Sequence, residues 1–296
     1  MAMNLVVGST GKLGSDICRL MSAQGRPLRA MVRPTSDSAK VEQLRSLGAE
    51  IVVGNLRDPT SLAAACSGVT TVFSTVSACP VSYQPPENTI QNVDIEGLTN
   101  LIDAAKASGV QHLIYTSFSG QINVVCPLER AKRTVEARLK NSGLTYTILR
   151  PSFYMESWLG PGIGFDYANA TARIYGSGHN PISWISRYDV AQFAVACLDN
   201  PAARNATLEM GGPQALSPLE VVDIFEKVNG KPFTVQHVPE AALTGQLAEA
   251  TDDLAKTFPG LMLAYAHGDA IDMGQTLQAF PLQLTTVQEY AQRVLG

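Results

Sequence analysis

The sequence predicts an α/β fold, a doubly wound parallel sheet followed in the chain by a smaller C-terminal α/β lobe. Over residues 1–150, short apolar runs rich in β-branched side chains alternate with stretches of helical periodicity, the pattern of repeated β-α units. A glycine string, Gly8-Ser9-Thr10-Gly11-Lys12-Leu13-Gly14, directly follows the first run and opens the first helical stretch. From Pro151 the alternation weakens into a segment rich in Gly, Pro and aromatic residues that reaches Gly178. Residues 151–296 are therefore expected to form the second lobe.

Asn4–Val7, Leu28–Val32, Glu50–Val53, Thr70–Val76, His112–Thr116 and Thr145–Leu149 read as strands, because each is a short apolar, β-branched run bounded by turn residues. Between them Lys12–Ala23, Ser38–Leu47, Pro59–Ala65, Thr89–Ala107 and Leu128–Asn141 carry apolar residues at helical spacing. Gly25, Gly48, Gly68, Gly109 and Gly143 stand where these helices end. Crossovers of this kind are right-handed and give a parallel sheet. Later helices are expected at Asp189–Leu198, Pro218–Val228, Glu240–Ala250 and Thr285–Val294. Doubly wound sheets bind ligands at the carboxyl ends of their strands, so residues 151–296 are expected to be a substrate-covering lobe. No repeat or long polar linker separates the halves, and the second lobe is expected to pack on the first rather than hang from a tether.

Composition narrows the function classes. With 22 Lys+Arg against 26 Asp+Glu the net charge is -4, and the basic residues are scattered, so no nucleic-acid footprint is expected. No apolar window approaches the roughly 18 residues of a membrane span. Met1–Val7 lacks the basic flank and apolar core of a signal peptide, and a cytoplasmic location is expected. Cys18, Cys66, Cys79, Cys126 and Cys197 are dispersed without a C-x-x-C pair, which reads as reduced, structural thiols. The four histidines stand far apart, and no metal site is expected.

The glycine string is the sharpest feature. Glycines at 8, 11 and 14 let the chain turn tightly, bring backbone N–H groups close to a pyrophosphate and pack the helix against the strand. The helix N-terminus then favours the anion. This is the phosphate loop of the Rossmann type, and its place at the head of a β-α-β unit makes a mere tight turn the weaker alternative. About twenty residues on, NAD-specific sites carry an acid on the second strand. This chain has Met31-Val32-Arg33-Pro34 there. The Arg33 guanidinium suits a 2'-phosphate, and Lys12 adds a second charge, so NADP(H) is the expected cofactor. A solvated strand-end arginine is the alternative.

Together with GNLRDPTSLAAACSGVTTVF, YTSFS, ERAKRTVEARLKNSGLTYTILRPSFYMES and ISRYDVAQFA, these motifs resemble the NmrA-like family of atypical short-chain dehydrogenase/reductases over roughly residues 3–240. The resemblance implies an NADP-binding sheet domain in a family of quinone reductases, isoflavone-reductase-like enzymes and redox-sensing regulators. It places Gly8, Thr10, Gly11, Lys12, Leu13 and Gly14 on the pyrophosphate and Arg33 on the 2'-phosphate. Asn55 and Leu56 border the adenine, Asn55 where relatives often have Asp. Thr75, Val76, Ser77, Thr116, Ser117 and Phe118 flank the nicotinamide ribose, and Pro151, Ser152 and Phe153 lie near the ring.

The departures bear on chemistry. Larger-superfamily reductases place a tyrosine four residues before the catalytic lysine, and Leu128 stands there; Phe118 takes the serine position. The resemblance leaves Lys132 as the catalytic residue, a cofactor contact as well. Its helix carries Ala131, Val135 and Leu139, which can face the sheet while the amine reaches the ribose; a solvated lysine beside Arg130 and Arg133 is the alternative. Phe153, Tyr154, Trp158, Phe165, Tyr167 and Trp184 could line a pocket in the second lobe or simply fill its core. Asp189 reads as a helix N-cap.

Two functions are open at this stage. One is an NADPH-dependent reductase passing hydride to a quinone-like or conjugated carbonyl small molecule. The other is an NADP(H)-binding sensor with little or no turnover, working through a protein partner. A homodimer is allowed, and neither DNA nor membrane is an expected partner.

Overall fold

The computed structural model describes residues 2–79, 82–122 and 124–296. The chain divides into two compact units, each built from several segments. Residues 1–117, 130–149 and 191–208 make the first, and residues 118–129, 150–190 and 209–296 make the second.

The first unit is the β-α repeat. Strands β1 (Met3–Val7), β2 (Leu28–Val32), β3 (Glu50–Val53), β4 (Val69–Ser74), β5 (His112–Thr116) and β6 (Thr145–Pro151) alternate with helices α1 (Lys12–Ala23), α2 (Ser38–Ser46), α3 (Pro59–Cys66), α4 (Leu98–Ala107) and α5 (Pro127–Lys140). The strands pair in the order β3-β2-β1-β4-β5-β6, all parallel, as the sequence pattern requires. Chain order reverses between β1 and β4, the switch point where such sheets bind ligands. Leu5, Val7, Val72, Leu113 and Ile148 on the strands pack with Leu101 of α4 in one buried core. Gly25 and Gly109, expected as helix ends, take φ of 62° and 75°, the left-handed conformation that closes a helix without a Cβ penalty.

One helix differs from expectation. The run anticipated as a single helix from Thr89 opens with a π-helical segment, Ile90–Gly97, before α4 begins. Wide π turns are uncommon and cluster at functional sites. The segment buries Ile90, Asp94 and Gly97. A Cβ on Gly97 would lie 2.8 Å from the Leu56 Cβ, so glycine permits the close approach.

In the second unit α6 (Met155–Trp158) leads to β7 (Phe165–Asp166) and β8 (Thr171–Tyr175). Helix α7 (Arg187–Ala196) and strand β9 (Ala206–Met210) span both units, β9 joining the large sheet beside β6. Then follow α8 (Pro218–Asn229), β10 (Thr234–Val238), α9 (Glu240–Glu249), α10 (Asp253–His267), α11 (Gly274–Ala279) and α12 (Val287–Leu295). Strands β10, β8 and β7 form a second sheet, β10 parallel and β7 antiparallel to β8. The sequence pattern does not reveal α10, because Pro259-Gly260 in its middle reads as a breaker. The structure explains the glycine: a Cβ there would lie 2.8 Å from that of Cys126.

Candidate functional site

The glycine string forms a cradle at the carboxyl end of β1. Gly8 has φ of 88°, and a Cβ on it would lie 2.6 Å from the Thr75 hydroxyl and 3.2 Å from Val76. A Cβ on Gly14 would sit 2.2 Å from the Gly8 carbonyl oxygen, and one on Gly11 3.1 Å from the same atom. The Gly11 amide donates to the Gly8 carbonyl at 2.9 Å, which closes the turn. Gly11 is the N-cap of α1 and supplies no side-chain cap. The first-turn amides of Lys12, Leu13 and Gly14 therefore have no side chain to satisfy them, and an N-terminus in that state attracts an anion. Lys12 is exposed and Thr10 half-buried at its mouth.

The neighbouring loops are tied to this cradle. Ser9 is buried and donates to the Met31 carbonyl at 2.7 Å, fixing the loop to the end of β2. Arg33 follows β2 directly and is exposed, its backbone amide donating to the Ser36 hydroxyl at 2.9 Å. Gly54 donates to the Val32 carbonyl at 2.9 Å, bringing Asn55 and Leu56 beside the same strand ends. Asn55 uses its side-chain oxygen on the Arg57 amide at 3.0 Å, and Leu56 is buried. The Thr75 amide and hydroxyl both turn back to Val7, at 3.1 and 3.3 Å. The Ser77 hydroxyl donates to the Cys79 carbonyl.

Lys132 is buried, not solvated, which removes the surface alternative. Its Nζ lies 3.6 Å from Oδ1 of Asp94, and 5.3 Å from the centroid of the Tyr115 ring. Burial lowers the pKa of this amine below its ordinary value of 10.5, and the Asp94 carboxylate opposes the shift. One turn further along α5, Glu136 is also buried; it accepts from the Ser117 hydroxyl at 2.6 Å and from Arg133 at 2.7 Å. Ser117, expected to flank the ribose, thus spends its hydroxyl on Glu136, while Thr116 is half-buried beside it. The Tyr115 hydroxyl is buried without a hydrogen bond, and burial raises its pKa.

Of the residues expected near the nicotinamide, Phe118, Pro151, Ser152 and Phe153 fall in the second unit. Pro151, Ser152 and Phe153 are buried. Phe153 packs edge-on against Trp158 at 4.6 Å and against Tyr265 at 6.1 Å, with Trp184 at 6.2 Å. Phe165 meets Phe225 at 4.8 Å, and Tyr167 stacks on the same ring at 6.0 Å. Phe153, Phe165, Trp184, Phe225 and Tyr265 are core, Trp184 donating to the Leu216 carbonyl at 2.9 Å, whereas Trp158 and Tyr167 are half-buried. The Tyr154 hydroxyl is buried and unpartnered, and burial raises its pKa. Asp189 is not an N-cap. Its carboxylate accepts from the Thr285 amide at 2.8 Å and hydroxyl at 3.0 Å, pinning the chain ahead of α12.

A family model for NmrA-like proteins matches residues 3–291. This chain belongs to the NmrA-like family. Among curated relatives, it is 31% identical over 278 residues to an NAD(P)H azoreductase of Xenophilus azovorans, covering 88% of this chain and 89% of that protein. It is 28% identical to a photosystem II assembly factor of a Synechocystis strain, covering 99% of this chain and 90% of the other. The NADPH complex of a quinone oxidoreductase from Escherichia coli shares the fold, with a TM-score of 0.79 at 23% identity, covering 99% of this chain and 100% of that one.

In this NmrA-like chain, the sequence pattern singles out the glycine string and Lys132 but not Asp94, Tyr115 and Glu136, which lie about the lysine. Glu136 was within reach, since it stands four residues after Lys132 and shares its helix face. Asp94 gave no comparable signal, because a single acid in a helical run reads as solvated and only the π turn carries it inward. No disulfide and no cluster of metal-binding side chains occurs among the described residues. No helix among them is long and apolar enough to cross a membrane.

Proposed function

We propose that this protein is an NADPH-dependent reductase that passes hydride to a quinone-like or otherwise conjugated small molecule. The observation that carries the reading is the uncapped N-terminus of α1 behind Gly8, Gly11 and Gly14, at the switch point between β1 and β4. A pyrophosphate fits that cradle because added Cβ atoms would fill it and because the amides facing it lack a side-chain cap. Gly8, Thr10, Gly11, Lys12, Leu13 and Gly14 hold the pyrophosphate. Arg33, exposed at the end of β2 with no acid on that strand end, takes the 2'-phosphate. Asn55 and Leu56 border the adenine, and Thr75, Val76, Ser77, Thr116 and Ser117 flank the nicotinamide ribose.

The bound dinucleotide supplies hydride. Lys132 is the catalytic residue, its ammonium holding the ribose and balancing the charge that develops on the acceptor. A conjugated acceptor suits this site, since protonation can be finished by water and no tyrosine is needed four residues before the lysine. The azoreductase relative, similar along nearly its whole length, supports a nicotinamide-dependent reduction.

The assembly-factor relative is equally full in coverage and favours a second reading, a dinucleotide-binding sensor with little turnover. One experiment separates them. The purified chain is titrated with NADPH and NADH by fluorescence, and absorbance of the reduced nicotinamide is then followed against a panel of quinones, azo compounds and enones. Tight NADPH binding with acceptor-dependent oxidation is expected. Tight binding without oxidation across the panel moves the conclusion to the sensor, and absence of binding refutes both.

A further inference from the structure

Asp94 is an acid with no exposure, carried inward by the π-helical turns of Ile90–Gly97. A buried carboxylate is costly unless its oxygens are matched. Here one is fastened and the other is not: Oδ2 accepts the Ala78 amide at 2.9 Å, while Oδ1 makes no hydrogen bond and faces Lys132 Nζ at 3.6 Å. We propose that Asp94 is the positioning residue of Lys132, holding its ammonium charged and tying it to the loop after β4. The inference rests on the role of Lys132 in the proposed reduction.

Three features support it. The other groups facing Lys132 are Glu136 on its own helix, Tyr115 on β5 and Cys79 in the loop after β4. Glu136 is committed to Ser117 and Arg133, and the Tyr115 hydroxyl is held neutral by burial. Of the groups that favour the charged lysine, Asp94 acts most strongly, ahead of Cys79 and Glu136. Second, the separation is too long for a hydrogen bond yet short enough for strong attraction. At 3.6 Å Asp94 attracts the amine without holding it in a short hydrogen bond, so Nζ can turn to a ribose or acceptor oxygen. Third, Ala78 directly follows Thr75, Val76 and Ser77. One carboxylate thus sets the spacing between the segment flanking the cofactor and the lysine that acts on it.

The test is an NMR titration of the full chain carrying isotope-labelled lysine, with Lys132 assigned through Lys132→Met. Asp94→Asn keeps an acceptor for the Ala78 amide and removes the charge. It should lower the Lys132 midpoint by about 1–3 pH units, the usual effect of an opposite charge at this distance, and Glu136→Gln should lower it by less. A folded Asp94→Asn with the wild-type Lys132 midpoint overturns the inference. If that variant does not fold, the Lys132 midpoint is read in Asp94→Ser, which also removes the charge and keeps a hydroxyl oxygen for the Ala78 amide; a midpoint equal to that of wild type overturns the inference equally. Turnover separates this proposal from the one beneath it. If the lysine acts in the reduction, the alkaline limb of the Asp94→Asn rate profile moves down with the Lys132 midpoint. A moved midpoint with an unmoved limb leaves Asp94 holding Lys132 and removes the lysine from the reduction.

Discussion

Gly14→Ala tests the cradle most directly. The added methyl would stand 2.2 Å from the Gly8 carbonyl oxygen, 2.8 Å from the Gly8 carbonyl carbon and 3.0 Å from the Ser9 Cα, all backbone atoms. No side chain can swing aside. The loop itself must move by about 1 Å to restore ordinary contact, a displacement of the size that costs on the order of a hundredfold when it falls on a positioned group. Overpacking of this kind destabilises by about 1–3 kcal/mol. If the same strain falls on the phosphate-facing amides, NADPH affinity drops by roughly 5- to 150-fold. Gly11→Ala meets the same oxygen at 3.1 Å, so a shift of a few tenths of an ångström accommodates it and the loss should be smaller. The assay is a fluorescence titration with NADPH, paired with thermal unfolding of each variant. A folded Gly14→Ala protein that binds NADPH as tightly as wild type, or a Gly11→Ala variant weakened more than Gly14→Ala, would refute the placement of the pyrophosphate in this cradle.

Arg33→Asp should weaken NADPH far more than NADH in the same titration, because a carboxylate repels the 2'-phosphate and accepts from a 2'-hydroxyl; equal losses would move the phosphate elsewhere. Asp269 is buried and accepts from the Ser119 hydroxyl at 2.7 Å, and burial raises its pKa above the ordinary 3.8 although that hydrogen bond opposes the shift. The folded chain therefore holds the Asp269 proton more tightly than the unfolded chain; this stabilisation is complete below the unfolded value and is lost as pH rises through the folded one. Asp269→Asn should accordingly match or exceed wild type in thermal stability at pH 7 and lose that advantage toward pH 4, and a clear loss of stability at pH 7 would contradict this account. Burial pushes the thiols of Cys18 and Cys197 up to about 12 and that of Cys66 to about 11, and Cys126 is buried too, whereas Cys79 is half-buried. Under native conditions at mildly alkaline pH, Cys79 should be the first to react with a thiol reagent, which mass spectrometry of the labelled peptides would show.

The sheet was legible because its signals are local. Apolar period, β-branched runs and glycine punctuation placed β1, β2, β3 and β5 to within a residue, and the glycine turn was visible because Gly8, Gly11 and Gly14 fall within seven consecutive residues. The second unit was less legible. Its helix α10 runs through Pro259-Gly260, where glycine lets it approach Cys126 closely, so this pair misleads any reading of local propensity. Its aromatics cluster because they meet one another from distant segments, Phe153 and Trp158 with Trp184 and Tyr265. The sequence by itself determined the parallel α/β order, the glycine turn at the head of α1, the absence of an acid at the end of β2 and a lysine on α5. Only the tertiary structure decided that this lysine is buried and which acid faces it. Burial and charge pairing depend on groups that lie 38 positions apart in the chain, Asp94 and Lys132, and that meet through the π turns and the β4 loop, where local propensity carries no information.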